Sequence, residues 1–274
     1  MGTLDDDTRS KRVRAPAVAN MFYPGGSAVL ARNVDDMLAA AKPAPMPTPK
    51  ALIVPHAGYV YSGPIAATGY ALLRSAARTI HRVVLFGPAH RVFVRGCALP
   101  DVDAFETPLG KVSLDRETMA RASRLPGVTV SDRAHAPEHS LEVHLPFLQR
   151  ALEDFTLVPF VVGDASPREI ANLVDALWGG DETLFVISSD LSHYLPYAQA
   201  LAVDANTTSR IVALDPEPID HEMACGATPV NGFVLAAREK HLTPTLLDLR
   251  NSGDTAGGRD QVVGYTAIAF HAKS

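Results

Sequence analysis

Cys225, in Ala224-Cys225-Gly226, is one of two cysteines in the chain, and two histidines far upstream each close an apolar run. The runs are Ala51-Leu52-Ile53-Val54-Pro55-His56 and Arg82-Val83-Val84-Leu85-Phe86-Gly87-Pro88-Ala89-His90. A thiolate and two imidazoles are metal donors, and together they read as one metal site. A third run, Thr183-Leu184-Phe185-Val186-Ile187-Ser188, ends in Ser189-Asp190-Leu191-Ser192-His193, again a strand followed by residues able to move protons. In open α/β sheets ligands bind outside the carboxyl ends of strands. Two histidines on adjacent strands would then face one pocket, with the third strand end converging on it. Each histidine taken singly reads as a hydrogen-bonding residue, and a lone cysteine as a small buried hydrophobe. The repetition of strand, turn and histidine is what packing alone does not require.

Between the second and third runs lies His135-Ala136-Pro137-Glu138-His139-Ser140-Leu141-Glu142-Val143-His144-Leu145-Pro146-Phe147, which carries three histidines and two glutamates within ten residues. If a helix starts at Ser140, that residue is its N-cap and Val143 and Phe147 share a face. His139 and Glu142 then sit near the positive end of the helix, in a supporting role around the site.

Strands and helices must position these groups, and they alternate along the chain. Helices are expected over about 64–77, 140–152, 167–178, 198–213 and 228–240, with strands at 82–86, 156–162 and 183–188. Alternation of this kind predicts an α/β fold with a mostly parallel central sheet flanked by helices. Residues 244–249 and 261–270 read as further strands, antiparallel at the edge. Residues 1–20 are polar and aperiodic and read as a mobile tail, leaving 21–274 as one domain, with an Ala/Pro-rich connector at Ala41–Pro47.

Composition bounds the function. The chain has 274 residues, 47% of them hydrophobic, enough for a sizeable core, and a net charge of −5 that gives no global attraction for a phosphate backbone. Nucleic acid is not an expected partner. No apolar run reaches a membrane span, and the charged start lacks the apolar segment of a signal peptide, so a cytoplasmic protein with no membrane contact is expected. Two cysteines far apart fit a reducing compartment in which a thiol stays available.

Five motifs then occur in order: Pro55-His56-Ala57-Gly58-Tyr59-Val60-Tyr61-Ser62-Gly63, Gly87-Pro88-Ala89-His90, Glu138-His139-Ser140-Leu141-Glu142-Val143-His144-Leu145-Pro146, Ser188-Ser189-Asp190-Leu191-Ser192-His193 and Ala224-Cys225-Gly226. On these the chain resembles the Memo family from about Phe22 to Phe270. Prokaryotic members resemble protein B of the AmmeMemoRadiSam system, which implies as partners a radical SAM protein and a third small protein. The family is similar in fold to class III extradiol ring-cleavage dioxygenases. The resemblance implies His56, His90 and Cys225 as metal ligands, the cysteine standing where the dioxygenases have a glutamate. It implies His193 as the acid/base histidine with Asp190 beside it, and Phe22 and Tyr61 at the pocket mouth. A carboxylate is a hard donor suited to iron(II), whereas a thiolate is soft and favours copper(I), zinc or iron–sulfur chemistry, so the fold likeness does not fix the metal; iron(II) or copper is favoured and zinc stays possible. The functions open to such a site are a non-haem metal-dependent oxidoreductase working beside the radical SAM partner, a non-catalytic peptide-binding or protein-binding module in the old cleft, and a zinc-type hydrolase.

Overall fold

Long apolar runs cannot face water on either side of a sheet, and here they occupy its centre. In a computed structural model, residues 12–272 are described. They form β1 (Val13–Arg14), α1 (Ser27–Ala40), β2 (Ala51–Val54), α2 (Tyr59–Tyr70), β3 (Arg82–Pro88), β4 (Cys97–Leu99), β5 (Ala104–Thr107), β6 (Gly110–Ser113), α3 (Arg116–Ala122) and β7 (Val128–Val130). After these come α4 (Asp132–His135), α5 (Leu145–Ala151), β8 (Thr156–Val162), α6 (Pro167–Ala176), β9 (Thr183–Ser188), β10 (His193–Leu195), α7 (Tyr197–Val212), α8 (Ala227–Glu239), β11 (Thr243–Asn251) and β12 (Val262–His271).

The main sheet has nine strands in the order β10-β12-β2-β9-β3-β8-β4-β7, with β11 also paired to β12. Its centre, β2-β9-β3-β8, is parallel. β12 runs antiparallel to β2 and β11, as expected for the last two strands. Successive residues of a strand point to opposite faces, and every residue of β2 and β9 is buried. Helices must therefore cover both faces. One group is α1, α2 and α5, and the other is α6 and α8. In the second group the helices approach so closely at Gly232 that a Cβ there would lie 2.2 Å from Ile170 Cβ. A mixed α/β domain with a large, mainly parallel core is thus the observed class.

Several local expectations change. The helix expected from residue 64 is α2, which starts five residues earlier, at Tyr59, and after Tyr70 gives way to a 3₁₀ turn; α1 is unexpected. The expected helix at 140–152 is a 3₁₀ turn, Glu142–His144, followed by α5. Ser140 does not cap it: its hydroxyl donates to Pro88 O at 2.9 Å, tying this turn to the end of β3. The packed chain also begins upstream of residue 21. β1 pairs with β5, and Arg14 is buried, since it forms an ion pair with Glu142 and donates to backbone carbonyls of the 135–138 segment. The rest of the expected tail, residues 1–11, lies outside the described residues. Among the described residues no helix is long and apolar enough to cross a membrane.

Candidate metal centre

Three parallel strands deliver the site. β2 ends two residues before His56, β3 two residues before His90, and β9 two residues before Asp190. The two histidine-bearing strands are not adjacent, as sequence order suggested: β9 lies between them, so Ser188 and Asp190 enter the space between the histidines. The peptide N–H of His56 donates to Asp190 Oδ1 at 2.8 Å, which locks the β2 and β9 ends together.

The imidazoles of His56, His90 and His139 converge, with one donor atom from each lying within 4.8 Å of the others. Cys225, in the loop that enters α8, lies beside this trio, its Sγ 3.3 Å from His56 Nε2. That loop is held against β9 by the Gly226 N–H, which donates to Ser189 Oγ at 3.0 Å. Only glycine fits there, because a Cβ would come within 2.6 Å of Ser188 O.

Donor bonds of 2.0–2.3 Å at tetrahedral angles place neighbouring donor atoms roughly 3.3–3.6 Å apart. The His56–Cys225 separation already equals this, and the three imidazoles need only to draw in. The donors are also in the right state. Burial and the neighbouring imidazoles hold His56 well below the usual histidine range, and burial and His90 bring His139 down to about 4, so both keep free nitrogen lone pairs at neutral pH. Burial, reinforced by the Asp190 carboxylate, pushes the Cys225 thiol up, so a metal would have to displace its proton. The donor set fits a metal ion.

The carboxylate that orients His90 is Glu138. Its Oε1 accepts from His90 Nδ1 at 2.9 Å and its Oε2 accepts from the His90 N–H at 2.7 Å. Burial opposes its charge, but these bonds and the Ser140 N–H outweigh burial and hold the carboxyl at about 2. An ionised acceptor on Nδ1 leaves His90 Nε2 as the free donor atom. Glu142, expected in this supporting role, serves elsewhere. It accepts from Arg14, from the N–H groups of Ala17 and Val18 and from Tyr23 Oη, which straps the 14–23 segment to the domain. The strap places the Phe22 ring 4.7 Å from that of His139. His139, expected beside the site, is one of its converging imidazoles.

His193 starts β10, and its Nδ1 donates to Leu191 O at 2.8 Å, leaving Nε2 as an acceptor. Burial lowers its pKa. Burial raises Asp190 to about 7, against the amide N–H of His56, which stabilises its charge. A cavity of about 730 Å³ is lined by His90, His193, Leu195, Val203, Met223 and Cys225, and a neighbouring one of about 450 Å³ shares His90 and Cys225. His221, which reads in the sequence as a solvated histidine at an element end, lines both. Its position four residues before Cys225 was the available signal. Phe22 and Tyr61 line neither cavity. Phe22 covers His139, and Tyr61 is 39% exposed on the first turn of α2.

The family model described as a Memo-like protein matches residues 14–269. The chain belongs to the Memo family. A MEMO1 family protein of Aquifex aeolicus is 35% identical over 270 residues, spanning 94% of this chain and 99% of that protein. One from Aeropyrum pernix is 36% identical over 280 residues, spanning 94% and 99%. Among solved structures, an uncharacterized protein of Escherichia coli K12 superposes with a TM-score of 0.50 at 14% identity, covering 78% of this chain and 98% of that one. That likeness concerns the fold alone. The Memo match begins at Arg14, the first residue of the strap that Glu142 holds.

Proposed function

We propose that the Memo-family cleft is a metal-dependent active site of the oxidoreductase kind, in which His56, His90 and Cys225 hold iron(II) or copper. The reading is supported by one observation: the imidazoles of His56 and His90, just past the carboxyl ends of two parallel strands, lie close together beside an open cavity, with the Cys225 thiol 3.3 Å from His56 Nε2. When bound, such a metal supplies redox chemistry and open coordination positions. The protein's own groups handle protons. His193 presents a neutral Nε2 to the cavity and accepts a proton there, returning it from the same atom. Asp190, with its carboxyl near 7, holds or releases a proton one hydrogen bond from His56. Leu195, Val203 and Met223 offer an apolar wall to part of a substrate, and Gln199, Asp220 and Glu222 offer polar contacts to the rest. On the resemblance of prokaryotic members to protein B, its partners are a radical SAM protein and the third small protein of that system.

His139 favours a second reading. A third imidazole beside His56 and His90 is the three-histidine donor set of hydrolytic zinc, and His193 or Asp190 would then take the proton of an attacking water.

Elemental analysis of anaerobically purified protein separates the two, with wild type beside Cys225→Ala and His139→Ala and an oxygen-electrode trace on the wild type. Near-stoichiometric iron or copper that is lost in Cys225→Ala, with oxygen uptake on a catecholic substrate, supports the oxidoreductase. Zinc kept in Cys225→Ala and lost in His139→Ala supports the hydrolase. No metal after reconstitution overturns both.

A further inference from the structure

We infer that Tyr70, His144 and Ser188 form a buried positioning network that fixes which nitrogen of His56 carries its proton and so keeps Nε2 free for a ligand. The inference rests on the metal reading above and deepens it. Ser188 ends β9, is fully buried, and has three partners around one hydroxyl. Its Oγ lies 2.7 Å from Ser140 O, 2.6 Å from His56 Nδ1 and 2.8 Å from His144 Nε2.

A hydroxyl has one proton to give and two lone pairs with which to accept. Ser140 O is a backbone carbonyl and only accepts, so it takes the hydroxyl proton. Both ring nitrogens must then donate to Ser188 Oγ. For His144 this places the proton on Nε2 and leaves Nδ1 as an acceptor, and the Tyr70 hydroxyl donates to it at 2.9 Å. Every group in the chain from Tyr70 through His144 to Ser188 has one consistent role. For His56 the outcome is Nδ1–H, with the Nε2 lone pair aimed at Cys225 Sγ 3.3 Å away.

The other tautomer of His56 fits the same geometry less well. It would set two acceptors, Nδ1 and Ser140 O, against a single hydroxyl proton, and Ser140 O would be left to share the one His144 N–H that already points at Ser188 Oγ. The two anchored histidines are thus prepared by different means. His90 is oriented by the charged Glu138, which accepts whatever the surroundings. His56 is oriented by a neutral hydroxyl, whose direction has to be set by its other partners. The sequence motif that contains Ser188 and Asp190 accordingly carries a positioning residue as well as a proton-handling one.

The test needs no turnover. In metal-free protein with ¹⁵N-labelled histidine, NMR should show His56 protonated at Nδ1 and bare at Nε2, the signal being assigned by its loss in His56→Asn. Zinc(II) titration against a chromophoric chelator should show affinity falling by about 10–100-fold in Ser188→Ala. It should recover to within a few-fold of wild type in Ser188→Thr, which keeps the hydroxyl. A wild-type His56 carrying its proton on Nε2 would overturn the inference without any variant having to fold. So would unchanged affinity in Ser188→Ala when His56→Ala has lost binding. If His56→Ala binds zinc as well as wild type does, the metal reading fails, while the tautomer measurement still decides the network.

Discussion

Arg14→Met should destabilise the protein severely, although the residue lies within the first fifteen of the chain. The guanidinium Nη1 is 2.7 Å from Glu142 Oε2, and the two side chains are 5% and 0% exposed. Its Nε and Nη2 donate to the carbonyls of His135 and Glu138, each at 2.7 Å. Methionine replaces the apolar stem and loses the guanidinium, whose Cζ lies 5.0 Å from the centre of the Phe105 ring, so the loss is chiefly electrostatic. Removing one partner of a buried ion pair costs about 3–5 kcal/mol. Glu142 keeps its bonds from the N–H groups of Ala17 and Val18 and from Tyr23, which places the expected value near the lower end, about 3 kcal/mol. At roughly 2–4 °C per kcal/mol for a domain of this size, the midpoint of thermal unfolding should fall by at least about 6 °C. Urea unfolding followed by fluorescence of the single tryptophan, Trp178, measures the change, because that ring stacks on Phe185 at the far end of the central strands from the site. Arg78→Met, which breaks an ion pair between exposed side chains, is the control and should leave the midpoint unchanged. A loss below about 1 kcal/mol for Arg14→Met would refute the claim that the 14–23 strap is integral to the domain.

Glu138 has its carboxyl held below its ordinary value of 4.5, at about 2, so its contribution is fully present above pH 4.5 and is lost as pH falls from there toward 2. Between pH 6 and pH 3 wild type should lose about 2 kcal/mol from this group, and Glu138→Gln should lose much less, as compared by urea midpoints at the two pH values. An equal acid loss in the variant would assign the effect to other groups. Gly226→Ala should cost about 1–3 kcal/mol by overpacking and should weaken metal retention, because its methyl would meet Ser188 O and Ser189 Cβ and displace the Cys225 loop. Gly258→Ala, with open space around it, should be neutral in the same chelator titration and unfolding assays.

The central strands were legible because burial on both faces leaves an unbroken apolar run, as in Val83–Phe86 and Leu184–Ile187, and the histidines just beyond them marked the ligand end of the sheet. What local sequence does not encode is which parallel strand lies beside which. The insertion of β9 between β2 and β3 is a long-range choice, so Ser188 read as part of a motif and not as the hydroxyl shared by two histidines. That Glu138 and not Glu142 supports the site has a similar cause. A regular helix from Ser140 would have set Glu142 near the site, but the irregular turn at 138–144 aims Glu138 at His90 and turns Glu142 toward Arg14. Arg14 itself sits in a polar stretch whose composition is that of a tail, and only its buried partner distinguishes it.

Because β9 fills the space between β2 and β3, the centre cannot be built in the order in which the chain is made. When His56 and His90 have left the ribosome, the strand that spaces them is still some ninety residues away, and Cys225 follows later still. Until then the two histidines have no fixed separation, and closing the gap carries the entropy of a long loop. Metal capture by the proposed centre would therefore be a late event of biogenesis, since an ion that met the nascent chain early would find single imidazoles where the finished protein brings them together.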